Sequence, residues 1–279
     1  MKLLDVHKEE FTQKGYTLFP STFTDSWVRE ARKAFDDIAD QIPEVKETHK
    51  MGGEIILEHK PDLTLSAITV PKLLDFAEML VGPYVQLESV TYRAIPPVTE
   101  EHAKERPRGY HRDMFAFFPG DDVYHRPLLF NAIVYLQDLT DETGPLYVVP
   151  GSHMRAIGLE DDQRFERHRD EVAVYPKAGD VVMFHCSLLH SGAPNVSDEK
   201  RYIFIITYNH AWLKYRGDYS GPACQKLIKE AQKRGDRRLP RLLGVDEFMF
   251  RRANYGYCRT DEESWEQWRE EDRAALTGQ

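Results

Sequence analysis

The sequence predicts a mainly β protein with flanking helices, and three observations support this prediction. Between Val85 and Asn209, short apolar or alternating runs recur between turn-rich clusters, which is typical of strands packed as a sandwich or barrel. The segments on either side instead carry apolar residues at helical spacing. The chain has 279 residues, of which 41% are hydrophobic and 30% are charged, as in an ordinary globular protein with one sizeable core.

The first 84 residues are predicted to be largely helical. Thr24 or Asp25 can cap a helix whose apolar residues recur on one face, and we expect this helix to reach Ile42. A second helix is predicted in VPKLLDFAEMLVG, where Pro71 suits the first turn and Gly82 ends the pattern.

Six strand-like runs make up the predicted core at residues 85–210. They are YVQLESVTYRAI, LLFNAIVYLQDL, LYVVPG, EVAVYP, DVVMFHCSLLH and RYIFIITYN. Turn clusters such as TDETGP, KAGD and PNVSDEK separate them. Residues 211–279 return to charged helical patterns, so we assign residues 1–279 to a single domain with a helical C-terminal extension.

Charge and cysteine content restrict the classes of partner. The formal net charge of -9 argues against a nucleic-acid partner, because phosphate binding needs clustered basic residues. No segment is apolar for long enough to span a bilayer, and the N-terminus does not resemble a signal peptide. Cys186, Cys224 and Cys258 are too far apart for a CxxC site and odd in number. We therefore expect a cytoplasmic protein that acts on a small molecule without a membrane partner, and the oligomeric state stays open.

The stretch GYHRDMFAFF contains a candidate metal-binding pair. Residues two apart in a strand project to the same side, so His111 and Asp113 can offer an imidazole and a carboxylate to one ion while Arg112 faces away. If the strand continues, Phe115 and Phe117 share this face and give the ion an apolar wall.

Histidine followed by an acid two residues later is a weak pattern, and the chain contains it three times. We expect the other two histidines, His7 and His168, at the surface, because one lies near the chain start and the other in a run of charges. A kinase catalytic loop also contains His-Arg-Asp. It needs an Asn separated from the Asp by four residues, and a Gly-rich loop upstream, and this sequence has neither.

A third ligand should come from a remote strand. His185 and His190 in DVVMFHCSLLH face opposite sides of a regular strand, and His190 shares parity with the apolar set that we expect to face inward. Two histidines and one carboxylate form the facial triad typical of non-haem Fe(II) oxygenases, which leaves coordination positions open. A structural zinc site would normally close all four positions. Arg201 begins the next strand and could bind the far carboxylate of a 2-oxoacid.

The order of these motifs resembles the phytanoyl-CoA dioxygenase family of Fe(II)- and 2-oxoglutarate-dependent oxygenases. The similar segments, between Phe11 and Asn209, are FTQKGYTLFPSTFTD, YHRD, TDETGPLYVVPGSH, AGDVVMFHCSLLHSGAPN and then Arg201. The resemblance implies a double-stranded β-helix, a cupin-like jelly roll that uses Fe(II), 2-oxoglutarate and O2, with ascorbate as a stimulant. It assigns iron to His111, Asp113 and His190, and the cosubstrate to Arg201. It also implies cosubstrate contacts from Thr91, Asn131 and Ile133.

Several activities stay compatible with this pattern. Hydroxylation is favoured because the resemblance places a small residue at the Asp113 position in halogenating relatives, whereas the carboxylate is intact here. Desaturation, epimerisation and ring formation would use the same triad, and a non-catalytic metabolite-binding protein is a further alternative. A cupin-type enzyme without cosubstrate is disfavoured because the usual H-x-H pair is absent. Gly192 stands where some relatives carry a serine, and Arg106 and Arg108 are candidate contacts for an anionic substrate.

Overall fold

The computed structural model describes residues 3–113, 122–253 and 259–278. Its helices are Leu3–Lys14 (α1), Asp25–Ala39 (α2), Pro43–Thr48 (α3), Gly53–His59 (α4), Pro61–Ile68 (α5), Pro71–Val81 (α6), Glu100–Glu105 (α7), Pro222–Lys233 (α8), Arg238–Leu242 (α9), Met249–Ala253 (α10) and Asp261–Thr277 (α11). Its strands are Tyr16–Phe19 (β1), Lys50–Gly52 (β2), Val85–Ile95 (β3), Leu129–Tyr135 (β4), Leu146–Val148 (β5), Val172–Val174 (β6), Val181–His185 (β7), His190–Gly192 (β8) and Arg201–His210 (β9). Short 3-10 turns lie at Ser152–Met154 and Gln163–Phe165.

The chain forms two compact units. The first contains Met1–Met51 and Thr91–Ile206, and the second contains Gly52–Val90 and Thr207–Gln279. The chain passes between them within β2, within β3 and within β9. The assignment of the whole chain to one domain stays a prediction.

The larger sheet has the strand order β1-β7-β4-β9-β3-β2. β7 is antiparallel to both of its neighbours, with Tyr16 and Asn131 both paired with Phe184. Because side chains alternate across a strand, this register places Asn131 and Phe184 on the same face of the sheet. That face points toward the metal-ligand candidates described below.

The smaller sheet, in the order β6-β5-β8, faces the larger one. Val148 of β5 is paired with His190 of β8. A buried apolar cluster joins side chains of both sheets: Ile133, Tyr135, Val182, Phe184 and Ile203 from the larger sheet, and Leu146 and Val148 from the smaller. Two facing sheets with an interior of this kind form the double-stranded β-helix that the sequence predicts.

The outer face of the larger sheet is covered by α2. Thr24 caps this helix, since its side chain accepts a hydrogen bond from the backbone N–H of Trp27, as predicted from the sequence. The Phe35 ring packs against Tyr92 of β3 and Tyr202 of β9, with centroids 4.9 and 5.8 Å apart. The helix ends at Ala39 rather than at Ile42, because α3 begins at Pro43.

The N-terminal segment contains structure that the sequence analysis missed. α1 leads into β1, which pairs with β7 at the edge of the larger sheet. His7, predicted to lie at the surface, is 7% exposed, and its Nδ1 lies 2.8 Å from Thr17 Oγ1. The prediction for His7 was wrong because the charged residues around it occupy the other side of an amphipathic helix.

One predicted strand is divided. DVVMFHCSLLH was treated as a single run, but β7 ends at His185 and β8 begins at His190 in the other sheet. The inward orientation of His190 was predicted from side-chain alternation along one continuous strand, and that strand is interrupted. His190 nevertheless reaches the interior, because the turn between the strands carries the chain from one sheet to the facing one.

The second unit has its own buried ionic cluster. Asp272 of α11 accepts hydrogen bonds from Arg241 at 3.0 Å and from Arg252 at 2.6 Å. Burial alone would raise the pKa of Asp272, but the two guanidinium groups lower it overall. Glu78 of α6 pairs with Arg238 at 3.0 Å. Removing one partner of such a buried set would leave a charge uncompensated.

No helix within the described stretches combines the length and the apolar character needed to cross a bilayer.

Candidate metal centre

Three of the predicted site residues converge. His111, Asp113 and His190 each offer one ligand atom, and these atoms lie within 4.8 Å of one another. Each histidine Nε2 lies 3.8 Å from an oxygen of the Asp113 carboxylate, from Oδ1 for His111 and from Oδ2 for His190. This arrangement is a facial set of two nitrogens and one carboxylate.

Backbone hydrogen bonds bring the two histidines together from remote parts of the chain. His111 and His190 form an antiparallel bridge, with the two N–H···O distances at 3.0 and 3.1 Å. The backbone N–H of Asp113 donates to the carbonyl of Cys186 at 2.9 Å. The segment around His111 therefore adds to the smaller sheet beside β8, and this pairing sets the spacing of the ligands.

The tautomer of both histidines follows from their backbone contacts. His111 Nδ1 lies 2.8 Å from the carbonyl of Gly109, and His190 Nδ1 lies 2.9 Å from the carbonyl of Leu188. A carbonyl only accepts, so each Nδ1 must carry the hydrogen. In the neutral rings each Nε2 then keeps its lone pair, which points toward Asp113. Hydrogen bonds of this kind orient metal-binding imidazoles.

Asn131 holds the carboxylate of the site. Its side-chain amide donates to Asp113 Oδ2 from the inward face of β4. The sequence analysis placed Asn131 at the site as a cosubstrate contact, and the structure gives it a direct partner in the ligand set. Supported carboxylates keep their orientation when a metal binds.

The environment of His190 is dry, whereas that of His111 is open. His190 is 5% exposed and its ring packs on Phe184 with the centroids 4.6 Å apart, while His111 is exposed. Burial lowers the pKa of His190, and the Asp113 carboxylate partly opposes this effect. His190 therefore stays neutral, as a metal ligand must, to lower pH than an ordinary histidine would.

Arg112 faces away from the candidate ligands, as predicted, and its hydrogen bonds anchor the segment that carries His111 and Asp113. Its guanidinium donates to the carbonyls of Ser152 at 2.8 Å and Ser187, and to those of Arg155 and Ile157 at 3.2 and 3.3 Å. Burial lowers the pKa of Arg112 to about 10. No role for Arg112 was predicted from the sequence, although the alternation that turns His111 and Asp113 inward also turns Arg112 outward.

Arg201 lies at the start of β9, is 7% exposed, and has one nitrogen fully engaged. Its Nη1 donates to the carbonyls of Thr143, Gly144 and Ala193 at 2.7, 2.8 and 2.9 Å. Across the described residues, neither Nε nor Nη2 makes a hydrogen bond. The guanidinium is thus fixed by one edge and free at the other, which suits a carboxylate ligand.

Of the remaining predicted residues, Thr91 and Ile133 lie on inward faces of the larger sheet, and Gly192 lies on β8 of the smaller one. A Cβ added at Gly192 would lie 3.6 Å from Arg201 Nη2, so the space beside the free edge is open. Thr91 is half-buried on β3, and Ile133 belongs to the apolar cluster between the sheets. The predicted aromatic wall at Phe115 and Phe117 lies outside the described residues.

Other candidate residues have structural partners instead. His185 uses both nitrogens on the backbone: Nε2 lies 3.2 Å from the carbonyl of His125, and Nδ1 accepts from Ser187 N–H at 3.0 Å. Arg108 donates to Glu171 at 2.6 and 2.9 Å and covers the Tyr147 ring. Arg106 stacks on Phe165 at 4.9 Å.

A double-stranded β-helix with two imidazole nitrogens and one carboxylate at its interior defines the class of non-haem Fe(II) oxygenases. The donor set fits a ferrous ion, and the free edge of Arg201 fits a dicarboxylate cosubstrate. Comparison with known proteins narrows this class. The chain belongs to the phytanoyl-CoA dioxygenase family, whose model matches residues 11–203.

Individual relatives agree with this assignment. The chain is 30% identical over 239 residues to L-proline trans-4-hydroxylase of Streptomyces griseoviridis, covering 74% of this chain and 86% of that protein. Among solved structures, HygX from Streptomyces hygroscopicus with nickel and 2-oxoglutarate bound has a TM-score of 0.59 at 16% identity, covering 77% of this chain and 90% of that one. The carbocyclase SnoK from nogalamycin biosynthesis has a TM-score of 0.56 at 22% identity, covering 79% and 89%.

The chain is therefore an Fe(II)- and 2-oxoglutarate-dependent dioxygenase. The predictions of family, fold class, enzyme class and cofactors are confirmed, and the non-catalytic alternative is set aside. The solved structures share the fold, and their different reactions do not transfer to this chain.

Proposed function

We propose that this enzyme hydroxylates an aliphatic C–H bond of a small-molecule metabolite. In this proposal His111, Asp113 and His190 bind Fe(II), and Arg201 binds the far carboxylate of 2-oxoglutarate. The convergence of two Nε2 atoms and one carboxylate, with both Nδ1 atoms committed to carbonyls, is the observation that carries it. Fe(II) with 2-oxoglutarate and O2 would supply the oxidation that inserts an oxygen atom.

The protein's own residues position these groups and exclude water. Asn131 holds the Asp113 carboxylate in place, and Arg112 anchors the backbone between the two ligands. The apolar cluster that includes Ile133 and Phe184 excludes water from the interior. Thr91, Asn131 and Ile133 lie on the faces from which cosubstrate contacts were predicted. We keep these contacts as part of the proposal.

Hydroxylation is proposed ahead of desaturation or epimerisation because the relative that shares 30% identity is a hydroxylase. L-Proline is therefore the first substrate to assay. We further propose that the enzyme acts in the cytoplasm and needs neither nucleic acid nor membrane, consistent with its net charge of -9.

The test is an assay with Fe(II), 2-oxoglutarate, ascorbate and O2, in which succinate release and product mass are both measured. Hydroxylation adds one oxygen atom to the substrate, whereas desaturation removes two hydrogens. Asp113→Ala should abolish product and weaken binding of Co(II), which can replace Fe(II) as an optical probe.

The chain contains a matched control for this variant. The tripeptide His-Arg-Asp recurs at residues 168–170, where Asp170 is exposed and lies outside the site. Asp170→Ala should keep wild-type turnover and Co(II) affinity. Full turnover in Asp113→Ala would refute the ligand assignment, and a product lacking two hydrogens would replace hydroxylation with desaturation.

A further inference from the structure

Arg93 occupies an inward position of the larger sheet. On β3 the buried residues Tyr92 and Ala94 face outward, and Tyr92 packs on Phe35 of α2. Arg93 therefore faces the opposite way, on the side where Ile95 packs against the cluster between the two sheets. Arg93 is nevertheless exposed, so its guanidinium is accessible to a ligand.

The strand that carries Arg93 lies beside the strand that carries Arg201. β3 and β9 are neighbours in the sheet, and Arg201 shares its inward face with Ile203 of the same interior cluster. Burial lowers the pKa of Arg201, and the positive charge of Arg93 lowers it further. Two guanidinium groups thus lie on the same face of neighbouring strands and repel each other.

Within the described part of the chain, Arg93 has no partner that would explain this placement. Among the residues that the structure describes, it makes no hydrogen bond and no ion pair. The arginines first considered for an anionic substrate differ in this respect, because Arg108 pairs with Glu171 and Arg106 stacks on Phe165. An exposed arginine is ordinarily just hydrated. An arginine that shares an inward face with a second arginine is instead well placed to bind an anion.

A count of formal charges shows which anion is missing. The two charges of Fe(II) and the charge of Arg201 are balanced by Asp113 and by the two carboxylates of 2-oxoglutarate. The charge of Arg93, on the same face of the sheet as Arg201, is then left over. A monoanionic group on the substrate would balance it, and a guanidinium binds a carboxylate through two parallel hydrogen bonds.

On this basis we infer that Arg93 binds a carboxylate of the primary substrate, so that the enzyme acts on carboxylate-bearing small molecules. This inference rests on the proposed function, since it concerns the substrate of the same site. In this arrangement Arg201 binds the cosubstrate, and Arg93 orients the molecule to be oxidised.

The test compares matched pairs of acid and amide. Wild-type enzyme is loaded with Ni(II), which keeps the site inert, and with 2-oxoglutarate. It is then titrated calorimetrically with the standard L-amino acids, short aliphatic carboxylic acids and the corresponding amides. We expect at least one acid to bind at least tenfold more tightly than its amide. Arg93→Gln should remove this preference, and Arg93→Lys should restore part of it.

Binding of 2-oxoglutarate to the same variants separates the possible outcomes. Affinity within twofold of wild type in Arg93→Gln, together with loss of the acid preference, supports a substrate contact. A tenfold loss of 2-oxoglutarate affinity overturns the inference, because Arg93 would then serve the cosubstrate. An enzyme that binds Ni(II) and 2-oxoglutarate but never prefers an acid also overturns it and leaves the proposed function intact. Failure to bind either one would refute the proposed function itself.

Discussion

At the scale of single residues, the site depends on which atom of each side chain is already engaged. Each ligand histidine commits Nδ1 to a carbonyl two residues earlier in the chain, which leaves Nε2 for the metal. Arg201 likewise commits Nη1 to three carbonyls and leaves its other edge free. If these residues bind Fe(II) and 2-oxoglutarate as proposed, their side chains are already oriented, so less conformational entropy is lost on binding.

Asn131 provides the first prediction at this scale. Asn131→Ala removes the amide that donates to Asp113, so the carboxylate can rotate away from the metal position. We expect Co(II) affinity to fall by about 10–100-fold, as is typical when a residue supporting a ligand is lost. Titration of the Co(II) absorption spectrum measures this change.

Ile133→Ala is the matched control, because it shortens a side chain on the same inward face of β4 without touching Asp113. It should lower stability while leaving metal affinity unchanged. Equal Co(II) affinity in Asn131→Ala and wild type would show that the amide does not support the ligand.

At the scale of elements, short backbone segments place the site residues. The turn at residues 143–144, within the TDETGP cluster, supplies two of the three carbonyls that fix Arg201. Gly144 has a φ of +86°, and a Cβ there would press on the carbonyl of Pro194 and on Arg201 Nη1. Glycine is required here both for its backbone conformation and for the space beside the guanidinium.

Gly144→Ala should therefore affect the cosubstrate site. We expect 2-oxoglutarate affinity to fall by about tenfold as Arg201 is displaced, and stability to fall by about 1 kcal/mol or more because of the positive φ. Calorimetric titration with 2-oxoglutarate and urea unfolding measure the two effects.

Gly158→Ala serves as the control, since nothing lies within 4 Å of a Cβ added there and its φ is not positive. This variant should match wild type in both measurements. If Gly144→Ala binds 2-oxoglutarate as tightly as wild type, the hydrogen bonds from Arg201 to the backbone carbonyls are not what positions its guanidinium.

Some helices and strands could be predicted from the sequence, and others could not. Helical spacing with a Thr cap predicted α2, and a Pro at the start with a Gly at the end predicted α6, because these signals are local. β1 was missed because four residues are too short to show a clear alternation. The separation of β7 from β8 was missed because apolar character continues through the turn at Cys186 and Leu188, which are buried like strand residues.

At the scale of the molecule, two buried histidines make stability depend on pH. His153 Nε2 lies 3.0 Å from the carbonyl of Thr12, and its ring centroid is 5.3 Å from that of His185. Burial lowers the pKa of His153 to about 4 and that of His185 to about 3. Both histidines are therefore neutral in the folded protein at pH values where an unfolded chain would bind protons.

The sign of the effect follows from these values. The folded pKa values lie below the unfolded value of about 6.5, so the stabilisation is complete above that pH and is lost as pH falls toward 4 and 3. We expect the free energy of unfolding to fall by on the order of 2–4 kcal/mol between pH 7.5 and pH 5. Urea unfolding at the two pH values measures it.

His153→Gln should make this fall smaller by about 2 kcal/mol, since the glutamine amide can still donate to Thr12 but does not titrate. His102→Gln changes an exposed histidine of α7 and should leave the fall unchanged. The same pH dependence in His153→Gln and wild type would contradict the assignment.

The sequence by itself determined the residue types of the site and their order along the chain. We predicted the pair at 111 and 113, the histidine after a remote turn, and the following arginine. These predictions were possible because coordination chemistry restricts which side chains can bind a metal or a carboxylate. Only the tertiary structure shows how His111 and Asp113 meet His190, since this depends on an antiparallel bridge between distant backbones. The same holds for the hydrogen bond from Asn131 to Asp113 and for Arg93, which pairs with none of the residues that the structure describes. Hydrogen-bond partners and unpaired charges depend on the folded chain, and local sequence patterns do not encode them.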